Sequence, residues 1–307
     1  MSATSISIPF FTALGIIICG ILISCGGTQS QAGSATAPDK HNRTGIVVEQ
    51  LPDAIWAIHE AMDSTYWFGS NGGGVFHYAN GILTQYTTDH GMPGNQLRKI
   101  QEDTSGNIYF DTPDGVGKFN GHSITALTPV ISPDNTWTSE PGDLWFKLSG
   151  NLNAAYRYDG STLYQLALPE HNKFSEVINS SNSLFSPYGV YSISKDSKDN
   201  LWFGTLNAGV YMYNNESQMW IVEKELLELQ DGRVPAVRSI IEDKEGNYWF
   251  SNVLHRYRIE SDNAGNTLYV KMQGIEPTSG EETMEFPYFM STVTDDDNED
   301  LWMVTYA

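Results

Sequence analysis

One short aromatic string recurs six times along this chain and sets what the chain can fold into. It appears as Tyr66-Trp67-Phe68-Gly69-Ser70, Ile108-Tyr109-Phe110, Leu144-Trp145-Phe146, Leu201-Trp202-Phe203-Gly204-Thr205, Tyr248-Trp249-Phe250-Ser251 and Leu301-Trp302-Met303. Its central aromatic falls at 67, 109, 145, 202, 249 and 302, a mean spacing of 47 residues with single intervals from 36 to 57. A period of this length marks a repeat architecture. Each unit packs on its neighbours, so the array can grow past the size of one ordinary core.

The flanks of the string repeat as well. A short apolar or alternating stretch and an acidic turn precede it, as in Val237-Arg238-Ser239-Ile240-Ile241 followed by Glu242-Asp243-Lys244-Glu245-Gly246-Asn247. A Gly-rich turn follows it, as in Asn71-Gly72-Gly73-Gly74, and then a third strand such as Val75-Phe76-His77-Tyr78. In the first three copies that strand ends at Asn80-Gly81, Asn120-Gly121 or Asp159-Gly160, dipeptides that favour tight hairpins. A fourth strand follows, such as Ile82-Leu83-Thr84-Gln85-Tyr86. Each unit therefore reads as four antiparallel strands, A to D. Four strands per 40–50 residues is the signature of a β-propeller blade. The aromatics of strand B are read as packing between blades rather than as a binding surface.

The pattern Glu-Asp-x-x-Gly-Asn-x-Trp-Phe-Gly-Thr, followed by Gly-Gly-Val and an aromatic, resembles the two-component regulator propeller repeat. Residues 235–260, 188–215 and 55–80 carry it best; the second, third and last copies are degenerate. The resemblance covers the chain from about residue 45 onward. It implies an all-β propeller and, for function, the carbohydrate-responsive sensor halves of hybrid histidine kinases or standalone exported proteins. A separate signalling protein is then an expected partner.

Residues 44–307 are expected to form five full blades and a partial sixth. The last copy stops after strand B, at Leu301-Trp302-Met303-Val304-Thr305-Tyr306-Ala307, which predicts truncation from a six- or seven-bladed ring. Gly45-Ile46-Val47-Val48-Glu49 is a candidate strand D for that last blade.

The N-terminus reads as an address. Ile6 to Ile23 is almost wholly apolar and ends in Leu22-Ile23-Ser24-Cys25-Gly26, which resembles the lipobox of bacterial lipoproteins. The resemblance implies a signal peptide over residues 1–24, lipidation at Cys25 and a flexible Gly/Ser/Thr-rich tether over 25–43. It places the protein in the cell envelope, lipid-anchored to the inner or outer membrane.

The formal net charge of −20 disfavours nucleic acid as a partner. Both cysteines, Cys19 and Cys25, precede the repeats, so the propeller has neither a disulfide nor a Cys-ligated metal. No cofactor is expected. Ca²⁺ at Asp295-Asp296-Asp297-Asn298-Glu299-Asp300 is the alternative, although this run lacks the Gly and the later Glu of an EF-hand loop and sits where the other blades carry hairpin turns.

In a four-stranded blade the B–C turns and D–A connections share one face. The D–A connections are long here, near 168–188, 222–235 and 274–288. Long loops on a rigid scaffold are where binding sites usually lie. Phe174, Phe185, Tyr188, Phe286, Tyr288 and Phe289 are the candidate contacts for a carbohydrate or protein ligand. Antibiotic-cleaving propeller lyases use a His and a metal at the central mouth, and His90, in a D–A loop, is the residue best placed for such a role. The expected function is ligand binding or sensing; a lyase or hydrolase with a His/carboxylate site at the mouth is the alternative.

Overall fold

The computed structural model describes residues 44–172, 185–228, 234–251, 253 and 255–274, together with backbone strands at 289–294 and 301–305. They belong to one unit, residues 39–307; the expected signal peptide over residues 1–24 and the expected tether over 25–43, with Cys25, lie outside the described residues.

Antiparallel pairing builds the repeat into successive sheets, each running from an inner strand A to an outer strand D. The first blade contains β2 (Ile55–Glu60), β3 (Tyr66–Ser70), β4 (Val75–Ala79) and β5 (Ile82–Tyr86), and the second β6 (Lys99–Glu102), β7 (Ile108–Thr112), β8 (Gly115–Phe119) and β9 (Ile124–Leu127). The fourth runs through β14 (Val190–Lys195), β15 (Leu201–Thr205), β16 (Val210–Tyr213) and β17 (Gln218–Ile221), and the fifth through β18 (Ile240–Glu242), β19 (Asn247–Phe250), β20 (Arg256–Ser261) and β21 (Thr267–Met272). A last pair, β22 (Phe289–Thr294) and β23 (Leu301–Thr305), holds the A and B positions of a sixth.

Two strands depart from the expected plan. β1 (Ile46–Val48) adds antiparallel to β5 as a fifth, outermost strand of the first blade, with Val47 opposite Thr84. It is therefore not the strand D of the last blade. The third blade contains β11 (Leu144–Phe146), β12 (Ala155–Tyr158) and β13 (Leu163–Leu166), and its fourth strand, β10 (Val130–Ile131), lies parallel to β13 on the outside. Among the described residues no strand A covers the inner edge of β11. The short 36-residue interval between Tyr109 and Trp145 has lost that strand. The connecting segment instead runs along the fourth blade. There Ser139 N–H donates to Asn215 Oδ1 at 2.9 Å, and Tyr213 Oη donates to the Trp137 carbonyl at 2.8 Å.

The core lies between blades, as the repeat predicts. The strand-B aromatics of the first four blades each meet the phenylalanine of the next blade. Ring centroids are 5.3 Å apart for Trp67–Phe110, 6.2 Å for Tyr109–Phe146, 5.5 Å for Trp145–Phe203 and 6.1 Å for Trp202–Phe250. All eight are buried. Such pairs add about 0.5–1.5 kcal/mol each beyond the area they bury.

The acidic A–B turns lock these aromatics in place. Asp103, Asp196 and Asp243 each accept the backbone N–H and side-chain amide of the Asn four residues on. Each also accepts a donor from the aromatic six residues on: Tyr109 Oη at 2.8 Å, Trp202 Nε1 at 2.8 Å and Trp249 Nε1 at 2.9 Å. The Asp-Asn-aromatic spacing of the repeat is thus a hydrogen-bonding unit. The acidic run at 295–300 lies outside the described residues.

Candidate functional site

The missing strand of the third blade exposes backbone groups that must be satisfied. Side chains of the second blade do it. Asp111, at the end of β7, accepts the N–H of Lys147 at 3.1 Å and that of Leu148 at 3.0 Å. Gln101 Nε2 donates to the Trp145 carbonyl at 3.0 Å.

The repeat has been altered at one position to allow this. Gly69 and Gly204 follow the aromatic pair in the first and fourth blades because the next blade's incoming chain presses on them. A Cβ on Gly69 would lie 2.6 Å from Leu97 Cβ, and one on Gly204 2.5 Å from the Val237 carbonyl. In the second blade the same position is Asp111, paired with Lys99 as Gly69 is with Ala57. No strand A of the third blade fills the space. In the third blade itself the position is Lys147.

Lys147 reaches on to the fourth blade, where its Nζ donates to the Tyr191 carbonyl at 2.6 Å. Burial above all, opposed by Asp111 and aided by the charges of Arg98, Arg238 and Lys99, pulls its pKa down to about 8. Burial likewise lowers that of Lys99, again against Asp111. Solvent nonetheless reaches Lys99, which is exposed. Desolvation together with exposure fits the wall of a concave site. Asp111 is 1% exposed, and burial pushes its carboxyl above the ordinary range despite its two backbone donors and Lys147.

Two aromatics are turned toward the same end of the blades by β-bulges. Trp56 sits at the register shift between Ile55 and Ala57 in β2, and Tyr191 at that between Val190 and Ser192 in β14. A bulge re-aims a side chain. Arg98 lies over the Trp56 ring, 5.5 Å from its centroid, and Arg238 over Tyr191 at 5.2 Å. Trp56 remains 48% exposed. Trp56, Arg98, Lys99, Tyr191 and Arg238 stand at or just before the starts of inner strands, while Asp111 and Lys147 stand at the ends of B strands. All therefore lie at the inner side of the long-loop face.

The aromatics expected on that face are placed as follows. Tyr188 is buried, and its hydroxyl donates to the His171 carbonyl at 2.8 Å and accepts the His171 N–H at 3.0 Å. It anchors a loop. His90 is also buried; its Nδ1 accepts the Thr87 N–H at 3.0 Å within a capped 3₁₀ turn, and its ring packs on Tyr86. Neither side chain is exposed. Phe185 is 44% exposed. Phe174, Phe286 and Tyr288 lie outside the described residues, and Phe289 is described only as backbone of β22. Among the described residues no group of three or more His, Cys, Asp or Glu could hold a metal, and no helix is long and apolar enough to cross a membrane.

The family model described as two component regulator propeller matches residues 184–207, which span β14 and β15. No curated protein sequence matches the chain. Among solved structures, virginiamycin B lyase from Staphylococcus aureus is similar at 15% identity and a TM-score of 0.50, over 81% of this chain and 77% of that one. The extracellular domain of a putative one component system from B. thetaiotaomicron is similar at 13% identity and a TM-score of 0.48, over 82% of this chain and 40% of that one. These likenesses concern the fold. The chain is a β-propeller, and its residues 184–207 match the two-component regulator propeller repeat.

Proposed function

We propose that this propeller is an exported binding or sensing protein that takes its ligand at the inner end of the long-loop face. The observation that carries the reading is the convergence there of Trp56, Arg98, Lys99, Lys147, Tyr191 and Arg238 from the first five blades. The blades supply a rigid frame, and the bulges take Trp56 and Tyr191 out of the regular alternation of their strands. A half-exposed tryptophan beside cations is suited to an organic ligand with both a flat and a polar part, such as a carbohydrate or a segment of a partner protein.

The family match supports a place in signalling, through a separate partner protein. The lipobox-like Leu22-Ile23-Ser24-Cys25 supports a lipid anchor in the cell envelope. Binding of the full chain to glycan and peptide arrays tests the first part. Trp56→Ala is expected to abolish whatever signal the wild type gives, and a signal that survives it would move the site elsewhere. An alkyne fatty acid fed to cells is expected to label the wild type and not Cys25→Ala; equal labelling would remove the anchor.

A further inference from the structure

We infer that the recess at the open inner edge of the third blade is an oxyanion site, built for a carboxylate, sulfate or phosphate group carried on a small ligand. The inference rests on the axial site proposed above and gives its ligand a chemistry.

Charge makes the first part of the case. The chain has 37 Asp and Glu against 17 Lys and Arg, so a cation on it should find a carboxylate easily. Others do. Arg157 pairs with Asp143, Lys195 with Asp199, and Lys271 with Glu223 and Glu225. Among the described residues Arg98, Lys99 and Lys147 form no salt bridge within 4.0 Å. They and Arg238 are linked through their neighbours: Lys99 stands opposite Asp111, Asp111 accepts from the Lys147 N–H, and Lys147 Nζ donates to the carbonyl of Tyr191, over whose ring Arg238 lies. The one carboxylate among them, Asp111, already has each oxygen committed to a backbone N–H of the third blade. Arg98, Lys99 and Lys147, gathered around a single buried carboxylate that is already hydrogen-bonded, are the electrostatic half of an anion site.

Donor geometry and access supply the rest. An ammonium has three N–H donors, and Lys147 spends one on Tyr191. Arg98 lies over the Trp56 ring and its guanidinium has no hydrogen-bond acceptor among the described residues, which leaves its N–H fork for a planar or tetrahedral oxyanion. Room comes from the absent strand: β11 is the edge of its sheet, and a strand A there would take up the next strand spacing, roughly 4.8 Å. The net charge limits the ligand's size. A long polyanion meets the −20 surface first, whereas a short one reaches the recess, inside a screening length of about 8 Å at physiological salt.

Isothermal titration of the full chain at pH 7 and constant ionic strength tests this with sodium sulfate, trigalacturonate and maltotriose. Sulfate stands for the free anion, trigalacturonate for the same chemistry on a sugar, and maltotriose for its neutral counterpart. At least one anionic probe is expected to bind. Arg98→Gln and Lys99→Gln should each weaken it about tenfold, the size of one charge-assisted contact, while Lys195→Gln leaves it unchanged. Unaltered circular dichroism will confirm that these half-exposed and exposed substitutions fold. Anionic binding indifferent to both variants overturns the inference, as does silence from both anions at millimolar concentration. Maltotriose binding that is lost in Trp56→Ala, with no anionic binding, overturns the oxyanion chemistry and leaves the axial site standing. Silence in the arrays as well overturns both.

Discussion

The carboxylate of Asp111 accepts the backbone N–H of Lys147 at 3.1 Å across the boundary between the second and third blades. With the bond to Leu148, it gives the inner edge of β11 the partners that a strand A supplies in the other complete blades. Asp111→Ala leaves two backbone donors without an acceptor, at a cost of about 1–3 kcal/mol for each that stays buried. We expect a loss of about 2–4 kcal/mol in urea unfolding, and roughly half that for Asp111→Asn, which keeps one acceptor oxygen. A change within about 0.5 kcal/mol of wild type for the alanine variant would show that the edge finds other partners.

Lys147 couples the same site to pH. Its folded pKa is about 8, below the ordinary 10.5, so between these values the unfolded chain binds more protons than the folded one. Stability from this group therefore rises as pH increases from 8 to 10.5, and the burden of the buried charge is fully present below 8. The difference in unfolding free energy between wild type and Lys147→Met should move in favour of wild type over that window. A pH-independent difference would mean that the ammonium is not held down by burial.

Asp196 is expected to be the costliest turn aspartate to remove. Its Oδ2 accepts from Trp202 in its own blade at 2.8 Å and from Tyr248 of the next at 2.7 Å. Although burial opposes it, the bonds from Trp202, Asn200 and Tyr248 hold its carboxyl below the ordinary range. The stability it contributes is present above the unfolded value near 3.8 and is lost as pH falls through the lower folded one. Asp196→Ala should cost on the order of 3 kcal/mol at neutral pH and flatten the acid limb of the stability profile. Asp262→Ala, at an exposed turn, should cost far less by the same denaturant assay. Equal losses would mean that the bridge between blades adds nothing.

Gly204→Ala tests whether the Gly of the repeat is there for packing. The new methyl would meet the Val237 carbonyl of the fifth blade at 2.5 Å, and backbone cannot swing away as a side chain can. A destabilisation of about 1–3 kcal/mol by thermal melting is expected. Gly121→Ala, in a turn with φ +91 and open space around its Cβ position, should cost about 1 kcal/mol through backbone strain alone. A Gly204 variant as stable as wild type would remove the packing argument.

The repeat made the blades legible because it is written in residues whose roles are local. Asp196, Asn200 and Trp202 read as one pattern and fold as one bonded unit. The inter-blade place of Trp67, Trp145 and Trp202 followed from the same periodicity. The axial site was less legible. Phe185, Tyr188 and His90 stand out in the sequence as aromatic or ionisable residues in long loops, and in the structure Tyr188 and His90 use their polar atoms to hold those loops. The informative signal lay in departures from the repeat. Asp111 and Lys147 stand where Gly69 and Gly204 stand in better-conserved units of the same chain, and Trp56 and Tyr191 stand one residue into inner strands whose bulges no local pattern announces. The lost strand of the third blade could be suspected from the 36-residue interval, but the outward placement of β10 depends on contacts remote in sequence.

The borrowed edge of β11 also bears on the order in which the molecule assembles. In a solenoid-like array each unit normally brings its own intrinsic stability and gains more from its neighbours. The third blade has moved part of its intrinsic share into a neighbour's side chains, so it becomes conditional on the second. A fluctuation that opens the second blade should release both together, giving amide hydrogens of β11 the exchange rates of β7 rather than those of a separate unit. The two blades would then behave as a single foldon twice the length of the written repeat.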